Sequence, residues 1–174
     1  QRCHQEADDL VLAVVGLPVR ERLGGAGLAT RVAAVQEEPD EEQQPCQYAG
    51  ERQTFGVPIG RKQGVAFQIS DLEVMLQASR LLTYRAAAMK DAMTNGSSDA
   101  AAAFKQAAAV AKLYATESAV TATRIATQVF GGYGFMEEYA VARLYRDAKV
   151  LEIGEGTSEV QRMLIARGLG LPVE

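Results

Sequence analysis

The sequence is poor in the residues that ligate metals and bridge chains. Its 174 residues hold one histidine, His4, and two cysteines, Cys3 and Cys46. That set cannot supply the four ligands of a structural zinc site. A bridge between Cys3 and Cys46 is open to the sequence, but two thiols in a reducing compartment fit it better. Basic charge is also short. Eighteen Lys and Arg stand against 22 Asp and Glu, a net charge of −4, so the electropositive footprint of a nucleic-acid partner is missing. Long apolar runs are absent as well. The longest, Leu10 to Leu17, is too short to span a bilayer. Acidic residues precede it, where a secretory signal carries basic ones. The expected location is therefore the cytoplasm of a bacterium, or the mitochondrial matrix of a eukaryote. No alternating apolar run argues for a sheet, and no repeat of 20–50 residues is evident.

What is present reads as one helical domain. The chain is 48% hydrophobic and 23% charged, ordinary values for a globular protein. Residues 1–47 form an atypical leader. Gly25-Ala-Gly27 lacks the third glycine of a dinucleotide-binding motif. Gln36 to Pro45 holds five carboxylates and the prolines 39 and 45, the pattern of a solvated linker through which no helix should run. The first residue is Gln and not Met, which points to a processed or truncated product.

From Gln63 the period turns helical. Val65, Ile69, Leu72, Leu76, Ser79, Thr83 and Ala86 step by three and four, with Met75, Leu82 and Met89 widening the face. Asn95-Gly96 is a stop, and Ser97, Ser98 and Asp99 offer caps to the next helix. That helix carries Phe104, Ala108, Ala111, Ala115, Ser118, Ala122, Ile125 and Val129 at the same steps. It should be a central helix of about 30 residues, roughly 45 Å long, ended by Gly131-Gly132. A third helix is expected over 137–151, with Val141, Leu144, Tyr145, Ala148 and Leu151 inward. A short fourth runs from Ser158 to Arg167, with Ser158 and Gln161 as a capping box. The predicted architecture is all-α, an antiparallel up-down bundle over residues 48–174.

One stretch carries chemistry. Tyr145-Arg-Asp-Ala-Lys149 leads into Gly154-Glu-Gly-Thr-Ser-Glu-Val-Gln-Arg162, which puts Glu155 between two glycines just ahead of a helix N-terminus. Gly154 and Gly156 leave no side chain on either side of the carboxylate, so a flat ligand can come close. By the residues alone, Glu155 reads first as a surface glutamate. Arg52, ahead of a Phe-Gly-x-Pro turn, is a phosphate partner or a solvated cation. The glycines after Gln128 are a ligand cradle or simple helix stops.

Three ordered blocks weigh between these readings. Glu51-Arg-Gln-Thr-Phe-Gly56, Gln128-Val-Phe-Gly-Gly-Tyr-Gly-Phe135 and the Glu155 stretch together resemble the C-terminal domain of the acyl-CoA dehydrogenase family, of short-, medium- or short-branched-chain type. The resemblance runs from Tyr48 to Leu171, 124 of the 174 residues. It implies an FAD-dependent α,β-dehydrogenation of an acyl-CoA thioester, with Glu155 as the base that removes the α-proton. It implies FAD contacts at Arg52, Phe55, Gln128, Gly132 and Thr157, with Thr54 and Gln63 nearby, and substrate beside Gly156. In the family the Gln128-type block reaches the cofactor of a neighbouring subunit, so a homo-oligomer, dimer or tetramer, is implied. Electrons then pass to an electron-transfer flavoprotein. The thioester oxygen is met in the family by a flavin hydroxyl and by the backbone N–H of the base. Gly154 stands where several relatives carry an aromatic residue, which bears on the acyl pocket.

The sequence departs from the family at its start. The long first helix that should lead into Tyr48-Ala-Gly-Glu-Arg52 shows only its last turn, so it is expected to be lost or disrupted. Nothing in residues 1–47 replaces the family's N-terminal helical and middle β-domains. A fragment of a larger enzyme is the expectation. A truncated bundle without catalysis, active only in oligomer or partner contacts, is the alternative.

Overall fold

A computed structural model describes residues 45–93 and 98–173. The acidic linker, the Cys3 end of a possible bridge and the Asn95-Gly96 stop lie outside them. The described chain is helical apart from one hairpin. Helix α1 (Pro45–Glu51) leads into strands β1 (Gln53–Thr54) and β2 (Val57–Pro58) and a 3-10 turn over Ile59–Arg61. Helices α2 (Gln63–Met93) and α3 (Ser98–Phe130) follow, then a 3-10 segment over Gly131–Phe135, α4 (Ala140–Ile153) and α5 (Ser158–Gly168). Pro45 opens α1 rather than interrupting it; at the first helical position its missing N–H costs no hydrogen bond. This helix crosses the expected boundary between leader and bundle. The hairpin is a feature that apolar alternation did not show. Two paired residues per strand, Gln53 with Pro58 and Thr54 with Val57, are too few for a pattern to emerge.

Helix α3 is the axis of the fold, with α2, α4 and α5 packed on it. Its partner α2 runs antiparallel: Leu72 and Leu76 share a core with Ile125, Ala126 and Val129, while Ala86 and Met89 at the other end meet Ala107 and Ala111. Both expected apolar faces are inward. Leu76 is 1% exposed, and Ser79 one turn on is fully buried with no hydrogen-bond partner for its hydroxyl. A second stripe on α3 was not visible as apolar: Thr116, Ala119, Thr123, Ala126 and Phe130 are also buried. The hydroxyls of Thr116 and Thr123 return hydrogen bonds to Lys112 and Ala119 carbonyls at 2.9 and 3.1 Å, which removes the cost of burying them.

Two boundaries and two side chains differ from the reading of the sequence. Helix α4 starts at Ala140, not at residue 137, because Met136 and Tyr139 are extended. Val141 and Ala148 face inward as expected, but Tyr145 is 43% exposed. Its step from Val141 puts it at the edge of the stripe. The N-cap of α5 is Thr157, whose hydroxyl accepts from the Val160 N–H at 3.4 Å; Ser158 is already the first helical residue, with its hydroxyl buried and unpartnered. Gln161 does not complete a capping box. It turns back to donate to the carbonyls of Gly156 and Glu155, at 3.1 and 3.5 Å.

Candidate active site

The first group of candidate residues gathers where α1, the hairpin and the end of α3 meet. Tyr48 stacks on Phe130, with ring centroids 4.3 Å apart, and its hydroxyl donates to the Phe130 carbonyl at 3.2 Å. Tyr139 packs edge-on against Phe130 and tilts onto Tyr133. This aromatic cluster locks α1 to the end of α3. Arg52, one helical turn beyond Tyr48, is thereby carried over the Tyr133 ring at 5.4 Å, a cation–π distance. Burial of the Tyr48 ring raises its phenol above the ordinary value, against the opposing pull of Arg52.

The hairpin projects Phe55. Its two central residues, Phe55 and Gly56, both have positive φ, at 53° and 79°, as a two-residue hairpin turn of primed type requires. A bulky residue is out of place at the first of these positions. Phe55 is nevertheless there, and it is 97% exposed. The Lys62 ammonium lies 4.4 Å from its ring centre and donates to the Thr54 hydroxyl at 2.7 Å. Gln63 is exposed at the start of α2, and Gln128 is exposed in the last turn of α3.

The glycine block after Gln128 divides by cause. A Cβ on Gly134 would come within 2.5 Å of the Thr127 carbonyl, so packing demands glycine there. Gly132 meets nothing within 4 Å and has no unusual φ. Neither sterics inside the chain nor backbone conformation explains its missing side chain.

The second group is the loop between α4 and α5. Glu155 has a φ of 53° and Gly156 one of 96°. Phe55 and Glu155 are the non-glycine residues of positive φ among the described residues. A left-handed glutamate costs roughly 1–3 kcal/mol and persists only where its surroundings hold it. Here they do. The Gly156 carbonyl accepts from the Lys112 ammonium at 2.8 Å as well as from Gln161. Burial lowers the pKa of Lys112, partly offset by Glu152, Glu155, Glu117 and Glu159 around it. Thr157 is half-buried, and its hydroxyl also holds the Glu159 carboxyl below its ordinary range. The Glu155 side chain is exposed.

One chain does not unite the two groups. The first is anchored at Phe130 and the second at Lys112, 18 residues apart on α3 by number; that is about 27 Å along a helix. Arg52, Thr54, Phe55, Gln128 and Gly132 lie at the C-terminal end of α3, and Glu155, Gly156 and Thr157 against its middle.

Residues 40–170 match the family model described as "Acyl-CoA dehydrogenase, C-terminal domain". The chain belongs to the acyl-CoA dehydrogenase family. It is 44% identical over 119 residues to the mitochondrial short-chain specific acyl-CoA dehydrogenase of Sus scrofa, covering 68% of this chain and 27% of that protein. An acyl-CoA dehydrogenase of Bacillus subtilis is 36% identical over 165 residues, covering 95% of this chain and 40% of its own length. Butyryl-CoA dehydrogenase from Megasphaera elsdenii superposes with a TM-score of 0.65 at 40% identity, over 72% of this chain and 30% of that one. The chain thus spans between about a quarter and two fifths of the length of these relatives. The helical bundle expected from the resemblance is the fold found.

Three residues that hold the acyl-CoA dehydrogenase motifs in place escaped the sequence reading. Tyr48 shows a signal in retrospect: it precedes Arg52 by one helical turn and so shares its face. Lys62 reaches Thr54 eight residues back across a hairpin that the apolar pattern did not show, and Lys112 meets Gly156 only through the tertiary fold. Among the described residues, no cluster of His, Cys, Asp or Glu is placed to hold a metal, and no helix is long and apolar enough to cross a membrane.

Proposed function

We propose that this chain is the C-terminal helical part of an FAD-dependent acyl-CoA dehydrogenase of the cytoplasm or mitochondrial matrix, acting on a short-, medium- or branched-chain acyl-CoA, with Glu155 as the base. The observation that carries the reading is backbone strain. The two non-glycine residues that adopt positive φ among the described residues, Phe55 and Glu155, belong to two separate motifs of the family and are both exposed. Strain at exposed residues does nothing for the core, and it is a common mark of a ligand site.

The residues present fit a flavin dinucleotide. Arg52 offers a planar cation suited to a pyrophosphate. Phe55 offers a bare aromatic face, and Gly132 offers an open approach that nothing inside the chain requires. The separation of about 27 Å between the Arg52–Gln128 end and the Glu155–Thr157 loop supports a site shared between copies in a homo-oligomer, dimer or tetramer. Thr54 and Gln63 flank the first contribution, and Thr157 belongs to the second. Bound FAD would supply the two-electron acceptor, taking the β-hydrogen as hydride.

The chain's own task is the α-proton. Glu155 takes it onto a carboxylate oxygen as the C–H bond breaks. The main-chain N–H of Glu155, turned by its left-handed φ, is assigned to the thioester oxygen, where one such donor is worth about 3–4 kcal/mol as charge develops. Gly156 leaves the acyl chain room beside the base.

The natural electron acceptor is proposed to be an electron-transfer flavoprotein. A relative of 42% identity from Acetobacterium woodii is named as the CarC subunit of a caffeyl-CoA reductase-Etf complex. A 36% identical relative from Clostridium sporogenes is named 3-(aryl)acrylate reductase. Those names favour a second reading, in which the same residues run the reaction toward the saturated acyl group and Glu155 delivers the proton.

Anaerobic turnover of butyryl-, octanoyl- and 2-methylbutyryl-CoA by the flavin-loaded protein tests the proposal. Glu155→Gln should lower the rate about 10²- to 10⁴-fold, the usual worth of a positioned base. Equal rates for the variant and the parent would remove Glu155 from the reaction.

A further inference from the structure

We propose that Lys112 is a positioning residue: its ammonium, held against the Gly156 carbonyl, fixes the strained main chain that presents Glu155. The inference rests on the proposed role of Glu155 and adds how that residue is kept in place. Lys112 lies in the middle of α3, far in sequence from the loop, and is half-buried there. Its Nζ donates to the Gly156 oxygen at 2.8 Å. That oxygen also accepts from Gln161 Nε2 at 3.1 Å, and the same amide reaches the Glu155 carbonyl at 3.5 Å. Both carbonyls that follow the left-handed turn are therefore gripped, one from α3 and both from α5.

The neighbouring charges leave Lys112 to this task. Glu117 is paired with Arg162 at 2.6 Å, and Glu152 with Lys149. The carboxylates around the ammonium favour its charged form, while its direct bond goes to a main-chain oxygen. A charge-assisted bond to a carbonyl is stronger than a neutral one. It acts on the Gly156–Thr157 peptide, directly after the two positive-φ residues Glu155 and Gly156. Losing it frees Glu155 to relax from φ 53° toward the ordinary regions of its conformational map.

The test uses Lys112→Met and Lys112→Arg. In the 174-residue chain, ¹⁵N relaxation is read at the amides of Glu155, Gly156 and Thr157. Lys112→Met should lower their order parameters from about 0.85 toward 0.6 or below, with helical circular dichroism unchanged. In the flavin-loaded holoenzyme the same variant should lower kcat roughly 10- to 100-fold, leave KM for the acyl-CoA near its parent value, and raise the primary isotope effect of α-deuterated substrate. Lys112→Arg, which keeps a charged donor, should recover most of both effects. Unchanged amide dynamics in Lys112→Met would overturn the inference, as would parallel changes in kcat and KM without a rise in the isotope effect. Glu155→Gln is run beside it: full activity in that variant sinks the assignment of the base, whereas a dead Glu155→Gln with an unaffected Lys112→Met sinks only the role of the lysine.

Discussion

Replacing Gly156 with alanine should cost far more than the same change at Gly154, although the two glycines flank one carboxylate. Gly156 has a φ of 96°, and an added Cβ would lie 2.9 Å from Gln161 Nε2 and 3.4 Å from Val160 Cγ1. Holding a Cβ-bearing residue at positive φ costs roughly 1–2 kcal/mol. Pushing the Gln161 amide off the Gly156 carbonyl loses a hydrogen bond worth about 0.5–1.5 kcal/mol. The smaller entropy of the unfolded alanine chain returns about 0.4–1 kcal/mol. The net is a loss of about 0.5–3 kcal/mol, or a fall in Tm on the order of 1–12 °C for a chain of this size. Gly154 has a φ of −65° and a ψ of 150°, which any residue adopts, and its added Cβ meets only the Val150 carbonyl, at 3.3 Å. Gly154→Ala should stay within about 0.5 kcal/mol of the parent. Both variants are compared by thermal melts and by urea titration. Equal stability of the two would refute the reasoning that the positive φ and the close Gln161 amide penalise a side chain at 156.

Truncating Leu76, 1% exposed in the core between α2 and α3, should destabilise by about 2–5 kcal/mol as Leu76→Ala; a urea midpoint close to the parent's would show that the two helices pack elsewhere. Tyr48 predicts an alkaline limit. Its folded pKa is raised by burial, so the unfolded chain loses this proton first, and the contribution present below pH 10.0 is lost as pH rises through the folded value. Tyr48→Phe should soften that decline while costing about 0.5–1.5 kcal/mol at neutral pH through its bond to the Phe130 carbonyl. Melts from pH 7 to 11 check both, and identical pH profiles for parent and variant would discount the tyrosine.

The helices were legible because burial imposes a period. Ile69, Leu72 and Leu76 on α2, and Ala122, Ile125 and Val129 on α3, step by three and four, and a strand would send the odd step to its other face. The three motifs were legible because they are local strings. What was not legible is how local geometry settles each side chain. Thr116 and Thr123 read as polar, and only the carbonyls one turn back make them fit for the interior. Thr157 displaced Ser158 as the cap because the cap is chosen by where the chain turns, and Gly156 at φ 96° sets that turn one residue earlier. Tyr145 looked inward from its spacing, but the face of α4 that meets α3 is narrower than the stripe.

The amino-acid sequence by itself determined that this is a helical bundle, where its helices run, and which side chains belong to acyl-CoA dehydrogenase motifs, since periodicity and short motifs are properties of neighbours in the chain. Tertiary structure decided how those motifs are distributed: Arg52 with Gln128 at the C-terminal end of α3, Glu155 and Thr157 near Lys112 at its middle. The reason is length. A straight helix carries no message about what packs against its middle, and Lys112 becomes a partner of Gly156 only once α4 has run back along α3.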